Sequence, residues 1–339
     1  MRSILWMSEP MSRSLREQLP SVSTIVGSAQ EFLEARRDLK TVSFVDDSTL
    51  SELAKLAVEM GVPLEQMAPP GPVVAICNDP LPGAIGWLTS YPWLSHVVSA
   101  ALLRQPMAVE HLRNVMQTLT KGGQPRLLDW LGPTMVGRRI KLTQASKRVE
   151  RLARMSEFFD AKGIHSRTVQ QLREVAEELL TNAFGNGPAV AGTPKVSRTD
   201  EVTLPNESPC DLGYGCREDL AVVRVRDPFG TLSRTRLIDV LTRCARTDTQ
   251  LPTDELVGGA GLGLWRVFSA ASFVAVSVNN NRNTEVLAGI ANGAVAGPRP
   301  FAFHLFFKEH GRPVRRWKLL DADTTQNGVV DHSIAIVNK

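Results

Sequence analysis

The chain has 339 residues, 43% of them hydrophobic, and a formal net charge of +4. That length suggests two domains, and the apolar content excludes a disordered chain. A charge this mild argues against nucleic acid as partner: the basic run from Arg138 to Arg154 and the cluster Arg312, Arg315, Arg316 and Lys318 read as solvated surface.

Residues 1–122 alternate short apolar runs with helical patterns. The predicted strands are Ile4–Ser8, Thr24–Gly27, Val42–Val45, Val73–Cys77 and Val97–Leu103, with helices near 12–18, 29–37, 49–60, 83–89 and 108–120. Such alternation predicts a parallel sheet covered on both faces. The apolar run after Arg2 is only Ile4-Leu5-Trp6-Met7, too short for a signal peptide. Leu81 to Leu103 lacks Asp, Glu, Lys and Arg, but Pro82, Pro92 and His96 exclude a lipid-facing helix, so no membrane span is expected. It reads as a helix, a turn and a buried strand. A cytoplasmic protein with free thiols is expected, because Cys77, Cys210, Cys216 and Cys244 show no paired CxxC spacing; Cys210 and Cys216 could still meet across a bend.

Five strands with five helices in this length resemble a response-regulator receiver domain, a flavodoxin-like fold whose site lies at the carboxyl ends of the strands. The site motifs are mostly missing. Met7-Ser8-Glu9-Pro10 has one acid where receivers carry a pair. Asp46 or Asp47 takes the phosphoacceptor place, Cys77-Asn78 replaces the usual Thr or Ser, and Arg104-Gln105-Pro106 replaces Lys-Pro. The expectation is a pseudo-receiver used for docking; a divergent receiver that accepts phosphate at Asp46 is the alternative.

Lys121-Gly122-Gly123-Gln124-Pro125 signals a linker, so 123–137 separates the halves, with Leu127–Leu131 a short helix at the junction. Arg138–Thr143 has a strand pattern, and a helix follows from about Ala145 to Ala161. A long helix comes next, with Val169, Leu172, Ala176, Leu179 and Ala183 as its buried stripe and Glu178 and Asn182 one turn apart on another face. Residues 185–219 break the pattern and read as an insertion with a β-hairpin. Ala221–Arg226 is an alternating strand that ends in Asp227-Pro228-Phe229-Gly230. Gly258-Gly259-Ala260-Gly261-Leu262-Gly263 then runs into an amphipathic helix (Leu264, Val267, Phe268, Ala271). Glycines at such a junction let backbone N–H groups approach an anion closely. Residues 310–339 are a tail whose one pattern, Val329–Val337, suggests an edge strand.

In order and spacing, these segments resemble the GHKL ATPase family over roughly residues 138–309. Glu178-Leu179-Leu180-Thr181-Asn182-Ala183 looks like the N box, Asp227 to Gly230 like the first glycine box, and Gly259-Ala260-Gly261-Leu262-Gly263-Leu264 like the second. The resemblance implies an α/β sandwich, a mixed sheet with helices on one face, that binds ATP or ADP with Mg²⁺. It implies a metal ligand at Asn182, a general base at Glu178, an adenine contact at Asp227 and phosphate cover from Gly259, Gly261, Leu262 and Gly263. Thr284 takes the place of a threonine near the adenine. Beside Glu174 and Glu177, Glu178 alone would read as solvated surface; the other boxes make it a site residue.

Two departures bear on chemistry. Phe229 and Thr231 stand where the first glycine box normally has glycines, with Gly230 between them, so the adenine pocket is expected to be narrowed or reshaped. No phosphoacceptor helix precedes the domain: His165 lies in a Gly-Ile-His-Ser turn, which argues against a conventional histidine kinase. The layout is closest to the anti-sigma-factor serine kinases. The expectation is a bacterial signalling protein that binds Mg-ATP and regulates a protein partner, with serine phosphorylation as its candidate activity and homodimerisation an open question. The alternative is a non-catalytic scaffold with a vestigial nucleotide pocket.

Overall fold

The structure, a computed structural model, describes residues 3–18, 23–35, 41–68, 71–122, 129–130, 136–190, 202–204, 206–247, 262–293 and 298–308. The first half runs β1 (Ser3–Trp6), α1 (Glu9–Gln18), β2 (Ser23–Ile25), α2 (Ala29–Ala35), β3 (Val42–Asp46), α3 (Asp47–Glu59), β4 (Val73–Cys77), α4 (Leu81–Ser90), β5 (His96–Ser99), α5 (Ala100–Leu103) and α6 (Ala108–Lys121). The second runs β6 (Val136–Leu142), α7 (Arg148–Ala161), α8 (Ser166–Val190), β7 (Cys210–Arg217), β8 (Leu220–Asp227), α9 (Arg234–Thr247), α10 (Leu262–Ala270), β9 (Phe273–Asn279), β10 (Asn283–Ala291) and β11 (Ala302–Lys308).

All these strands join one 11-stranded sheet, in the order β2-β1-β3-β4-β5-β11-β9-β10-β8-β7-β6. The chain is therefore α/β with a large mixed sheet. β1 to β5 are parallel, in the doubly wound order 2-1-3-4-5. Beyond them β11 is parallel to β9, and β9, β10, β8, β7 and β6 are successive antiparallel neighbours. β11 also pairs antiparallel with β5, placing His304 opposite His96. The sheet thus continues from one half into the other.

Strand alternation divides the core between the two faces. In β8, Ala221, Val223 and Val225 pack with the α8 stripe, while Leu220 and Val222 pack on the other side. In β9, Val274, Val276 and Val278 face α8 and α10, whereas Phe273 and Ala275 meet Trp130 and the α6 residues Leu112 and Met116. Period-two side chains make this division unavoidable once one face is covered. Toward the β6 edge the second face turns polar: Arg224 lies between Glu285 and Asp211, and Asp211 also pairs with Arg139.

Three expectations about elements change. The strand expected over Val97–Leu103 stops at Ser99, whose Oγ accepts the Leu102 N–H and caps α5. An N-cap serine before Ala-Ala-Leu-Leu favours a helical turn over further strand. Within the stretch read as an insertion (185–219), α8 continues to Val190, and Cys210–Arg217 is a buried strand between β6 and β8. Gly213 and Gly215 hid it, since glycine weakens the strand pattern. Cys210 and Cys216 stand near opposite ends of β7, about 20 Å apart at strand rise, so they cannot bridge; all four cysteines are free and buried. The Val329–Val337 strand lies outside the described residues. Among the described residues no helix is long and apolar enough to cross a membrane.

Candidate functional site

α8 packs Val169, Leu172, Ala176, Leu179 and Ala183 into the core. That anchoring turns Asn182 toward a cleft of about 460 Å³, lined also by Leu179, Asp227, Thr284, Leu264 and residues of α9. Asp227 ends β8, and Thr284 near the start of β10 is its direct cross-strand partner. The segments around Asn182, Asp227 and Thr284 are therefore neighbours.

The Asp227 carboxylate is built into its turn. Its Oδ1 accepts the N–H of Phe229 at 2.8 Å, of Gly230 at 3.3 Å and of Thr284 at 3.3 Å. Burial pushes its pKa up, and these three N–H groups and the Thr284 hydroxyl pull it back in part. Gly230 has φ +65°, and a Cβ there would overlap Asn279 O and the Arg282 and Asn283 amides. Glycine is required at 230 because the turn lies backbone-to-backbone on the β9–β10 turn, where Asn281 N–H bonds Gly230 O at 3.1 Å. Phe229 packs against the main core and does not line the cleft. Phe229, expected to narrow or reshape an adenine pocket, thus directs its packing to the core and not to this cleft.

Glu178 and Gly263 meet. A Cβ on Gly263 would overlap Glu178 Oε2, so the carboxylate rests directly on the first turn of α10. Oε2 is buried with no hydrogen-bond partner, while Oε1 pairs with Arg266 one turn along α10 at 3.1 Å. Leu262 opens α10, half-buried against the core. Gly259 and Gly261 lie outside the described residues.

Sequence reasoning missed two contributions. α9 brings Arg236 and Arg243 to the cleft, together with Thr235 and Asp239. The seven-residue spacing of those arginines, which puts them on one helix face, was the available signal. Arg266, the partner of Glu178, was also missed; its place three residues after Gly263 gave no hint by itself.

The other candidates lie elsewhere. Asp46 is 2% exposed and caps α3. Its Oδ1 accepts from Ser48 Oγ and Thr49 N, and its Oδ2 accepts from Ser8 N. Burial acts to raise its pKa, but these hydrogen bonds outweigh it and hold the carboxyl low. Asp47, the adjacent acid, is exposed and within 3.5 Å of Asn78 Nδ2. His165 is exposed and caps α8: its carbonyl accepts the Val169 N–H and its Nδ1 the Arg167 N–H.

No protein-family model matches this chain, and no curated protein matches it. Among solved structures it is similar to the crystal structure of the SiaB–SiaC complex from Pseudomonas aeruginosa. That match has 15% identity and a TM-score of 0.30, and covers 54% of this chain and 99% of that one. A superposition that loose carries no argument about function.

Proposed function

We propose that this chain binds an adenine nucleotide with Mg²⁺ in the cleft between α8, α9, β8 and β10, and through it regulates a protein partner, as the GHKL resemblance implies. The supporting observation is convergence: Asp227 beside Thr284 at one end of the cleft and Asn182 on the facing helix, while Glu178 rests on Gly263 one turn away and is not among the lining residues. Asp227 would accept from the adenine amino group, and Arg236 and Arg243 would face the phosphates. The site fits the metal. Asn182 lines the cleft and would offer one hard oxygen, and Mg²⁺ would take its other ligands from phosphate and water. The first half, with its doubly wound order and a fully engaged Asp46, fits a pseudo-receiver that docks rather than switches.

Transfer to a serine of the partner is the finer form of this reading. A specific observation favours binding without turnover instead: the Arg266 ion pair engages the carboxylate that would act as base. The test is a thermal unfolding series on the full chain. At about one hundred times the dissociation constant, Mg-ATP should add about 2.7 kcal/mol. Asp227→Asn and Asn182→Ala should each remove most of that gain. Wild-type protein that does not respond to millimolar Mg-ATP would sink the proposal. Hydrolysis that is absent in the wild type and appears in Arg266→Ala would support a latched base.

A further inference from the structure

A second cleft, of about 550 Å³, opens where the two halves of the sheet meet. Its walls are the approach to β4, the α4–β5 turn, the segment entering α9, and the ends of β9 and β11. Apart from His96, its ionisable lining residues among the described ones are Arg234 and Lys308, and no described carboxylate is among them. Arg234 is half-buried and donates to the Leu94 carbonyl at 2.7 Å; no carboxylate partner pairs with it among the described residues. A guanidinium drawn out of water without a counter-charge is costly unless an anion arrives.

A second observation points the same way. Trp93 and His96 line this region, and their Nε1 and Nδ1 atoms are shut from water with no hydrogen-bond partner among the described residues. His96 is only 6% exposed. Buried polar atoms in native proteins are nearly always paired, so two orphans in one cleft need a partner that is not part of the chain. Trp93, packed on one core cluster, and Phe306, packed on the other, border the cleft from opposite faces of the sheet.

We infer that this cleft binds a small organic anion, with a carboxylate or phosphate head between Arg234 and Lys308 and a planar apolar body against Trp93. The segment Thr231–Ser233 lines both this cleft and the first one. Trp93 and Lys308 line only the second, so a result that depends on them holds whatever the first cleft binds.

The test is calorimetric titration of the full chain with 2-naphthoate, its uncharged analogue 2-naphthamide, and inorganic phosphate. Naphthoate should bind, and naphthamide at least about tenfold more weakly, as expected for a charge-assisted contact. Lys308→Gln and Trp93→Phe should each weaken naphthoate several-fold; neither alters the Arg234–Leu94 contact, and since Trp93 packs against the core a melting curve for each variant checks that it is folded. Competition by phosphate assigns a phosphate head, and failure to compete assigns a carboxylate. Equal binding of acid and amide, unchanged affinity in both variants, or no binding of naphthoate and phosphate at 10 mM, roughly the weakest level worth a site, overturns the inference.

Discussion

Lowering the pH should weaken this protein through three histidines at the junction of the halves. His96 on β5, His111 on α6 and His304 on β11 are 6%, 2% and 0% exposed. His111 Nε2 lies 3.0 Å from His304 Nε2, and the rings stack among Trp130, Phe273 and Phe306. Burial pushes His96 and His111 down to about 3, and lowers His304 as well, aided by its two neighbours. A lowered folded pKa means that the unfolded chain takes up protons first. Stability is then full above the unfolded value of about 6.5 and falls as pH drops below it. From pH 7.5 to 5.0 each of His96 and His111 should cost about 2 kcal/mol, hence about 4 together, out of a total stability of roughly 5–15. His304 adds with the same sign, whereas Asp227, raised by burial, acts with the opposite one. Urea unfolding at the two pH values measures the sum, and His96→Phe should shrink the difference by about 2 kcal/mol. A His96→Phe protein with the full wild-type pH dependence would refute the reasoning.

Two further outcomes follow from local geometry. Treatment with a small-molecule phosphodonor and Mg²⁺ should leave Asp46 unmodified by mass spectrometry, because both its oxygens hold N–H or hydroxyl donors; Asp46→Ala should cost about 1–2 kcal/mol as a lost cap. Gly230→Ala should destabilise by about 1–3 kcal/mol, since both the left-handed φ and the backbone of residues 279–283 oppose a Cβ; an unchanged melting temperature would contradict this.

The parallel half was legible because its strands are buried on both faces. Val73–Cys77 is continuously apolar, Val42–Asp46 is buried throughout with Ser43 and Asp46 as its polar residues, and helical periods separate them. The end of the fifth strand was not legible: Ala100–Leu103 is as apolar as a strand, and only the Ser99 hydroxyl decides for a turn of helix. β7 was missed for the opposite reason. Its strand character comes from neighbours on either side, β6 and β8, and not from its own glycine-bearing sequence.

The candidate site was legible where side-chain identity carries the chemistry, and opaque where packing does. Asn182, Asp227 and Thr284 could be picked out by type and order, and they line one cleft. The reach of Arg266 back to Glu178 depends on how α10 crosses α8. That crossing depends on Gly263 letting the helices close until a carboxylate touches backbone. The same residue that resembles a phosphate-binding glycine thus also sets the helix contact that engages Glu178. A glycine in this box has two reasons to be there. Separating them requires measuring nucleotide affinity and stability in the same Gly263→Ala protein: a phosphate role alone predicts weaker binding at unchanged stability, and a helix-contact role predicts that both fall together.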